Sequence, residues 1–129
     1  MSLADSARAY LKAIESRDFE QVRPFLHADV RQTEWPNKIV PNGITRNLEE
    51  MAEGFQKGLK VVYRQTYEVT NICEHGECVS LEAIWRGALA LDIGTLKAGE
   101  DMIVHSGMFL QFKDGLIIAQ RNYDCFDPF

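Results

Sequence analysis

Apolar residues return at helical spacing at the start of the chain. Leu3, Ala7, Tyr10, Leu11 and Ile14 share one face, with Ser2 or Asp5 placed to cap it, and the pattern predicts a first helix over about residues 3–17. Asp18 with Gln21 resembles a capping box for a second helix that buries Phe19, Val22, Phe25 and Leu26. Pro24 removes an intrahelical donor and crowds the preceding turn, so this helix is expected to be short, distorted or to begin later than the cap suggests. Val30 to Glu34 reads as a strand stopped at Trp35-Pro36, and residues 37–47 read as a loop rich in turn formers. Asn47 and Glu50 then cap a third helix with Leu48, Met51, Ala52, Phe55 and Leu59 on its apolar face.

After residue 60 the pattern changes to that of strands. Runs of β-branched and aromatic residues over 61–72, 78–91, 102–112 and 116–124 are broken at His75-Gly76, at 92–101 and at Asp114-Gly115. Asp-Gly between alternating runs is a strong hairpin signal. Strands joined in sequence by tight turns make an antiparallel meander. With three helices ahead of it the fold class is α+β, a mostly antiparallel sheet with helices on one face. The 129 residues suit a single domain, 1–129, large enough to bury a core and still line a cavity.

Charge and composition remove several classes of partner. A net charge of −5 with no run of lysine and arginine leaves no footprint for nucleic acid or for an anionic membrane. No apolar stretch approaches the ~18 residues of a membrane span, and the first residues lack the pattern of a signal peptide, so a cytoplasmic location is expected. Three cysteines, an odd number, fit the same compartment. Cys73 and Cys78 flank His75-Gly76 and would stand opposite each other if that pair is the hairpin turn. Cys73, His75 and Cys78 lack a fourth ligand, so no metal is expected. Without a Gly-rich phosphate loop, no organic cofactor is expected either.

The closing strand carries the candidate chemistry. By alternation Leu116, Ile118, Gln120, Asn122 and Asp124 share one face, which begins apolar and ends in two amides and a carboxylate. Burying such groups unpaired costs ~1–3 kcal/mol each, so they need partners, water or a ligand. The mouth of a pocket meets that need, as does an edge strand emerging into solvent.

The order helix, short helix, strand, helix and long antiparallel sheet, closing on Phe112, Asp114-Gly115, Ile117 and Tyr123, resembles the nuclear transport factor two-like superfamily, in particular its SnoaL-like polyketide cyclase branch. The resemblance implies a cone-shaped curved sheet wrapped around three N-terminal helices, a small hydrophobic ligand in its open end, and a homodimer. Tyr10 falls at the first-helix tyrosine of ketosteroid isomerases, but Trp35 stands where their base precedes a proline. Glu34 lies one step off register, which turns it to the opposite face unless a bulge intervenes. Met108 occupies the place of their acid donor. Asn122 stands where limonene epoxide hydrolases carry an aspartate, and an amide is no general base at neutral pH. Asp124, near the end of the last strand, matches the acid–base aspartate of SnoaL-like cyclases.

These matches make Asp124 the candidate proton carrier, with Asn122, Gln120 and Tyr10 as ligand-facing donors. Trp35 and Trp85 offer flat surfaces that line a cavity or fill a core. His105, on a strand face with Gly107, Phe109 and Gln111, is a candidate acid or base, or a neutral hydrogen-bonded side chain. Phe126 and Phe129 suggest a tail that packs on a partner or closes the cone. The expected function is a small-molecule-binding protein with isomerase, cyclase or hydrolase activity. Its rivals are a non-catalytic ligand binder or accessory protein and a dimerisation scaffold.

Overall fold

The computed structural model describes all residues from Met1 to Phe129. Three helices, α1 (Leu3–Glu15), α2 (Phe19–Val22) and α3 (Leu48–Gly58), pack against one sheet. Its strands are β1 (Leu26–Glu34), β2 (Ile44–Arg46), β3 (Val62–His75), β4 (Cys78–Leu89), β5 (Asp101–Lys113) and β6 (Leu116–Phe126). They are ordered β2-β1-β6-β5-β4-β3. All neighbours are antiparallel except β1 and β6, which run parallel, so the meander predicted for the last four strands is present and the sheet as a whole is mixed. The sheet is curved and open, giving the expected α+β cone.

Local chemistry sets the boundaries. Ser2 and Asp5 form a reciprocal capping box at α1, as Asn47 and Glu50 do at α3, satisfying amide donors that the first turn leaves free. The first helix ends at Glu15 rather than near residue 17, because Arg17 takes a positive φ of 66° and sends its guanidinium to the carbonyls of Leu59 and Val62. Asp18 caps through the amide of Glu20 and not in a box with Gln21. Pro24 limits α2 to one turn, followed by a 3₁₀ turn over Arg23–Phe25.

Four expectations for the strands are corrected. β1 begins at Leu26, before Val30, because pairing with β6 extends it, with an irregular register between Leu26 and Arg31. The stretch read as loop contains β2, held to β1 through Gln32–Arg46, Thr33–Thr45 and Glu34–Ile44. The first hairpin turns at Gly76-Glu77, so His75 faces Cys78 and Cys73 faces Ser80; the two thiols are diagonal neighbours, and all three cysteines are free and exposed. In β6 the register slips between the pairs Gln111–Ala119 and Phe112–Ile117. One extra residue there reverses the alternation, so the core side chain is Ile117, fully buried, and not Leu116 or Ile118.

Ala7, Tyr10 and Leu11 of α1 pack over Val79, Leu81, Met108, Leu110, Phe112 and Ile117 on the concave face of the sheet. A smaller cluster of Val62, Leu89 and Met102 lies apart from it, joined by Trp85, Phe126 and Phe129. The two cores leave a hollow between them.

Candidate functional site

That hollow is a cavity of about 470 Å³, inside the usual ligand-pocket range of roughly 300–1,000 Å³. Sixteen of its 26 lining residues are hydrophobic, so most of the wall offers only shape and apolar area. Polar groups come mainly from β1, β2, β5 and β6 and form a compact grid. The sheet register sets Arg46, Gln32 and Gln120 in one row across three adjacent strands, Glu34 beside Asn122 in the next, and Asp124 beside Ser106 in the third.

A directed hydrogen-bond chain runs through this grid. The Tyr10 hydroxyl donates to Gln120 Oε1 at 2.6 Å, and Gln120 Nε2 donates to Asn122 Oδ1 at 3.0 Å. Tyr10 and Gln120 are almost fully buried, whereas Asn122 is half-buried on the cavity wall. Burial raises the Tyr10 pKa, only partly opposed by its bond to Gln120, so the phenol stays neutral and remains a donor. Tyr10→Phe removes that donor and leaves the Gln120 amide oxygen buried without it. The expected cost is about 1–3 kcal/mol of stability, read as a lower urea midpoint at unchanged slope.

Asp124 is half-buried and lines the cavity, accepting a 2.6 Å bond from the Ser106 hydroxyl. Desolvation raises its pKa, the Ser106 bond works against that, and the charge of Glu34 pushes it up further. Glu34 is paired with Arg46, both side chains about one-fifth exposed. Tyr67, on β3 beside Trp85, adds a hydroxyl-bearing side chain to the cavity; burial is the main cause holding its pKa up, with Tyr10, Asp124 and Glu34 adding repulsion.

Of the residues singled out in the sequence, Tyr10, Trp85, Gln120, Asn122 and Asp124 come together at the cavity, and two do not. Trp35 is 42% exposed on the convex face, its ring 6.0 Å from that of Tyr123. His105 also lies on the convex face, exposed, with Nε2 2.9 Å from Asp127 Oδ1. Its apolar strand neighbours were misleading, because the buried side chains of β5 are the alternate set Met102, Val104, Ser106, Met108, Leu110 and Phe112.

Glu34, Gln32, Arg46 and Ser106 were missed. Glu34 faces inward, contrary to the placement argued from Trp35-Pro36, since it alternates with Gln32 and with fully buried Val30. The alternation itself is a property of the sequence, but which of the two faces turns inward is not. Arg46 lay in a segment read as loop and gave no signal. Gly54 of α3 makes room for it, because a Cβ there would sit 3.2 Å from Arg46 Nε.

Trp85 covers one wall, with its Nε1 donating to Gln65 Oε1 at 2.9 Å. Phe126 lines the rim and meets Phe129 edge-on at 6.0 Å. Phe129 also packs beside Ile93 and Leu96, and Lys38 stands 4.2 Å over its ring, so the tail lies across the apolar end of the cone. No group of three or more His, Cys, Asp or Glu side chains is placed to hold a metal ion. No helix is long and apolar enough to cross a membrane.

Solved structures share this architecture. IdmH of Streptomyces antibioticus, a proposed polyketide cyclase, superposes with a TM-score of 0.81 at 19% identity, over 96% of this chain and 92% of that one. AclR of Streptomyces galilaeus, a proposed hydroxylase, gives 0.76 at 16% identity, covering 96% and 91%. TerC, crystallised with polyporic acid, gives 0.74 at 17% identity, covering 97% and 91%. At these identities the likeness is one of fold. No functionally curated protein matches the chain in sequence. The SnoaL-like domain family matches residues 7–120, most of the chain, from α1 to Gln120 in β6 and short of Asn122 and Asp124, and the chain belongs to that family.

Proposed function

We propose that the protein binds a small, largely apolar molecule in the cone and carries out acid–base chemistry on it without a cofactor, as an isomerase, cyclase or hydrolase. Asp124 is the proton carrier in this reading. The observation that carries it is the position of Asp124: a carboxyl inside an apolar cavity, its pKa raised by desolvation and by Glu34, beside the Asn122 amide. A raised carboxyl pKa suits proton transfer in both directions closer to neutral pH than an ordinary aspartate. Tyr10 and Gln120 act through Asn122, fixing which way its amide points. The likeness to IdmH, a proposed polyketide cyclase, and to TerC, crystallised with polyporic acid, is in keeping with an oxygenated cyclic ligand. Following the Asp124 carboxyl carbon by NMR against pH tests the reading. A midpoint above the ordinary ~3.9 is expected, and an unshifted one removes Asp124 as the proton carrier.

The same reading includes a homodimer in the cytoplasm. Trp35, Phe109 and Tyr123 form an exposed aromatic cluster on the convex face, with ring centroids 5.6 and 6.0 Å apart, a surface suited to meeting a second copy. Light scattering is expected to give twice the chain mass, and Phe109→Arg to give a monomer. Wild-type protein that stays monomeric at micromolar concentration rules the dimer out.

A further inference from the structure

The polar grid has a direction. Every amide oxygen in it is taken by a neighbouring donor: Gln120 Oε1 by Tyr10, Asn122 Oδ1 by Gln120, and Gln32 Oε1 by Arg46 Nη1 at 3.4 Å. An amide whose oxygen is engaged by the protein presents its N–H groups outward. Gln32 and Asn122 are half-buried cavity residues whose amide nitrogens keep N–H groups to spare. Arg46 uses Nη1 for both Gln32 and Glu34, leaving Nε and Nη2 to other acceptors. No polar side-chain atom of the chain is both buried and unpartnered, so these donors are reachable.

We propose that these donors, Arg46 and Gln32 in one row of the grid and Asn122 in the next, recognise acceptor oxygens on the ligand, one of them ionised, held on the Arg46 guanidinium. The ligand class is a planar, mainly apolar compound with a carboxylate, phenolate or enolate oxygen and at least one further carbonyl or hydroxyl oxygen. This rests on the reading of the cavity as a ligand site. It goes beyond that reading by stating what the ligand must present and which residues select it.

Glu34 occupies only the Nη1 corner of the guanidinium, so an anionic oxygen is received on the Nε and Nη2 side, and the Glu34 charge that raises the Asp124 pKa is a cost the ligand contacts must exceed. Arginine suits the role through its planar fork, which offers several parallel donors to one anionic group. The Gly54 gap beside Arg46 Nε and Cδ lets the guanidinium lie against α3. Asp124, two residues beyond Asn122 on the same face of β6, adds one more donor whenever it is protonated. Phe19, Met51, Phe55 and Trp85 supply apolar surface in the cavity for the ring system.

Calorimetric titration with three naphthalenes of one size tests the proposal: 2-naphthoate, methyl 2-naphthoate and 2-naphthylamine, offering an anionic acceptor, neutral acceptors and an amine donor. The expected order of affinity is naphthoate, then ester, then amine, with about tenfold or more between the first and the last. Arg46→Met is expected to abolish the preference for naphthoate over ester, and Asn122→Leu to weaken both oxygenated compounds alike. Should Arg46→Met fail to fold with Glu34 unpaired, Gln32→Met reads the same donor row and is expected to narrow the order. Equal affinities for all three compounds, or an order unchanged in the variants, overturn the proposal and leave the cavity reading standing. If none of the three binds, both fall. Neither outcome bears on the Asp124 titration, which tests the proton carrier separately.

Discussion

Replacing Asp124 by asparagine is expected to reduce turnover by about 10²–10⁴-fold, the usual contribution of a positioned acid–base group, with little change in ligand affinity. The variant keeps its shape, since an amide oxygen can accept the Ser106 hydroxyl in place of the carboxylate. Turnover is to be followed by mass spectrometry on a metabolite extract, comparing compounds consumed by the wild type with those merely retained. Undiminished turnover in the variant excludes Asp124 from the chemistry. Retention of an unchanged compound by the wild type favours the non-catalytic binder.

The same substitution carries a stability signature with a definite sign. The folded-state pKa of Asp124 lies above its unfolded value, so between the two the native state binds more protons than the unfolded one. Stability therefore falls as pH rises from the unfolded value of ~3.9 through the folded pKa, and the loss persists at neutral pH. Asparagine does not titrate and removes this loss. The variant is expected to gain stability relative to wild type as pH rises through that window, measured by urea unfolding at several pH values. A pH-independent difference would mean that Asp124 is not desolvated.

The second large effect is expected from Gly87→Ala. A Cβ on Gly87 would come within 2.2 Å of Trp85 Cη2 and 2.6 Å of Cζ2, because the indole lies directly over this glycine. Real atoms do not approach so closely, and the ring must move. Its open side is the cavity, so the indole swings inward, breaks the bond from Nε1 to Gln65 and fills ligand space. Overpacking of this kind costs typically ~1–3 kcal/mol. The expected result is a lower urea midpoint, altered tryptophan fluorescence and weaker ligand binding. Unchanged fluorescence and affinity would show that the glycine does not set the position of Trp85.

The elements were legible to different degrees for physical reasons. Amphipathic spacing placed α1 and α3, whose apolar faces and caps are local properties of sequence. The hairpin at Asp114-Gly115 was equally local, with positive φ at both residues. β2 was not legible: three residues in length, it exists because β1 offers an edge to pair with. The bulge in β6 was hidden as well. Alternation counts residues and cannot see that one of them is left out of the ladder, so Ile117 took the core place assigned to Leu116 and Ile118.

By itself the sequence determined the α+β class, the order of most elements, and the concentration of polar groups at the end of the last strand. Helix periodicity, capping and turn chemistry act over a few residues and need no distant partner. The tertiary structure alone decided which face of each strand became the inner one. That choice sent His105 and Trp35 to the convex surface and turned Glu34 inward beside Asn122. It also brought Arg46, from a segment with no signal of its own, to the wall that holds Asp124. Facing depends on curvature, on bulges and on which strands become neighbours. The parallel pairing of β1 with β6, about ninety residues apart in the chain, joins the two halves of the site through contacts that no local pattern encodes.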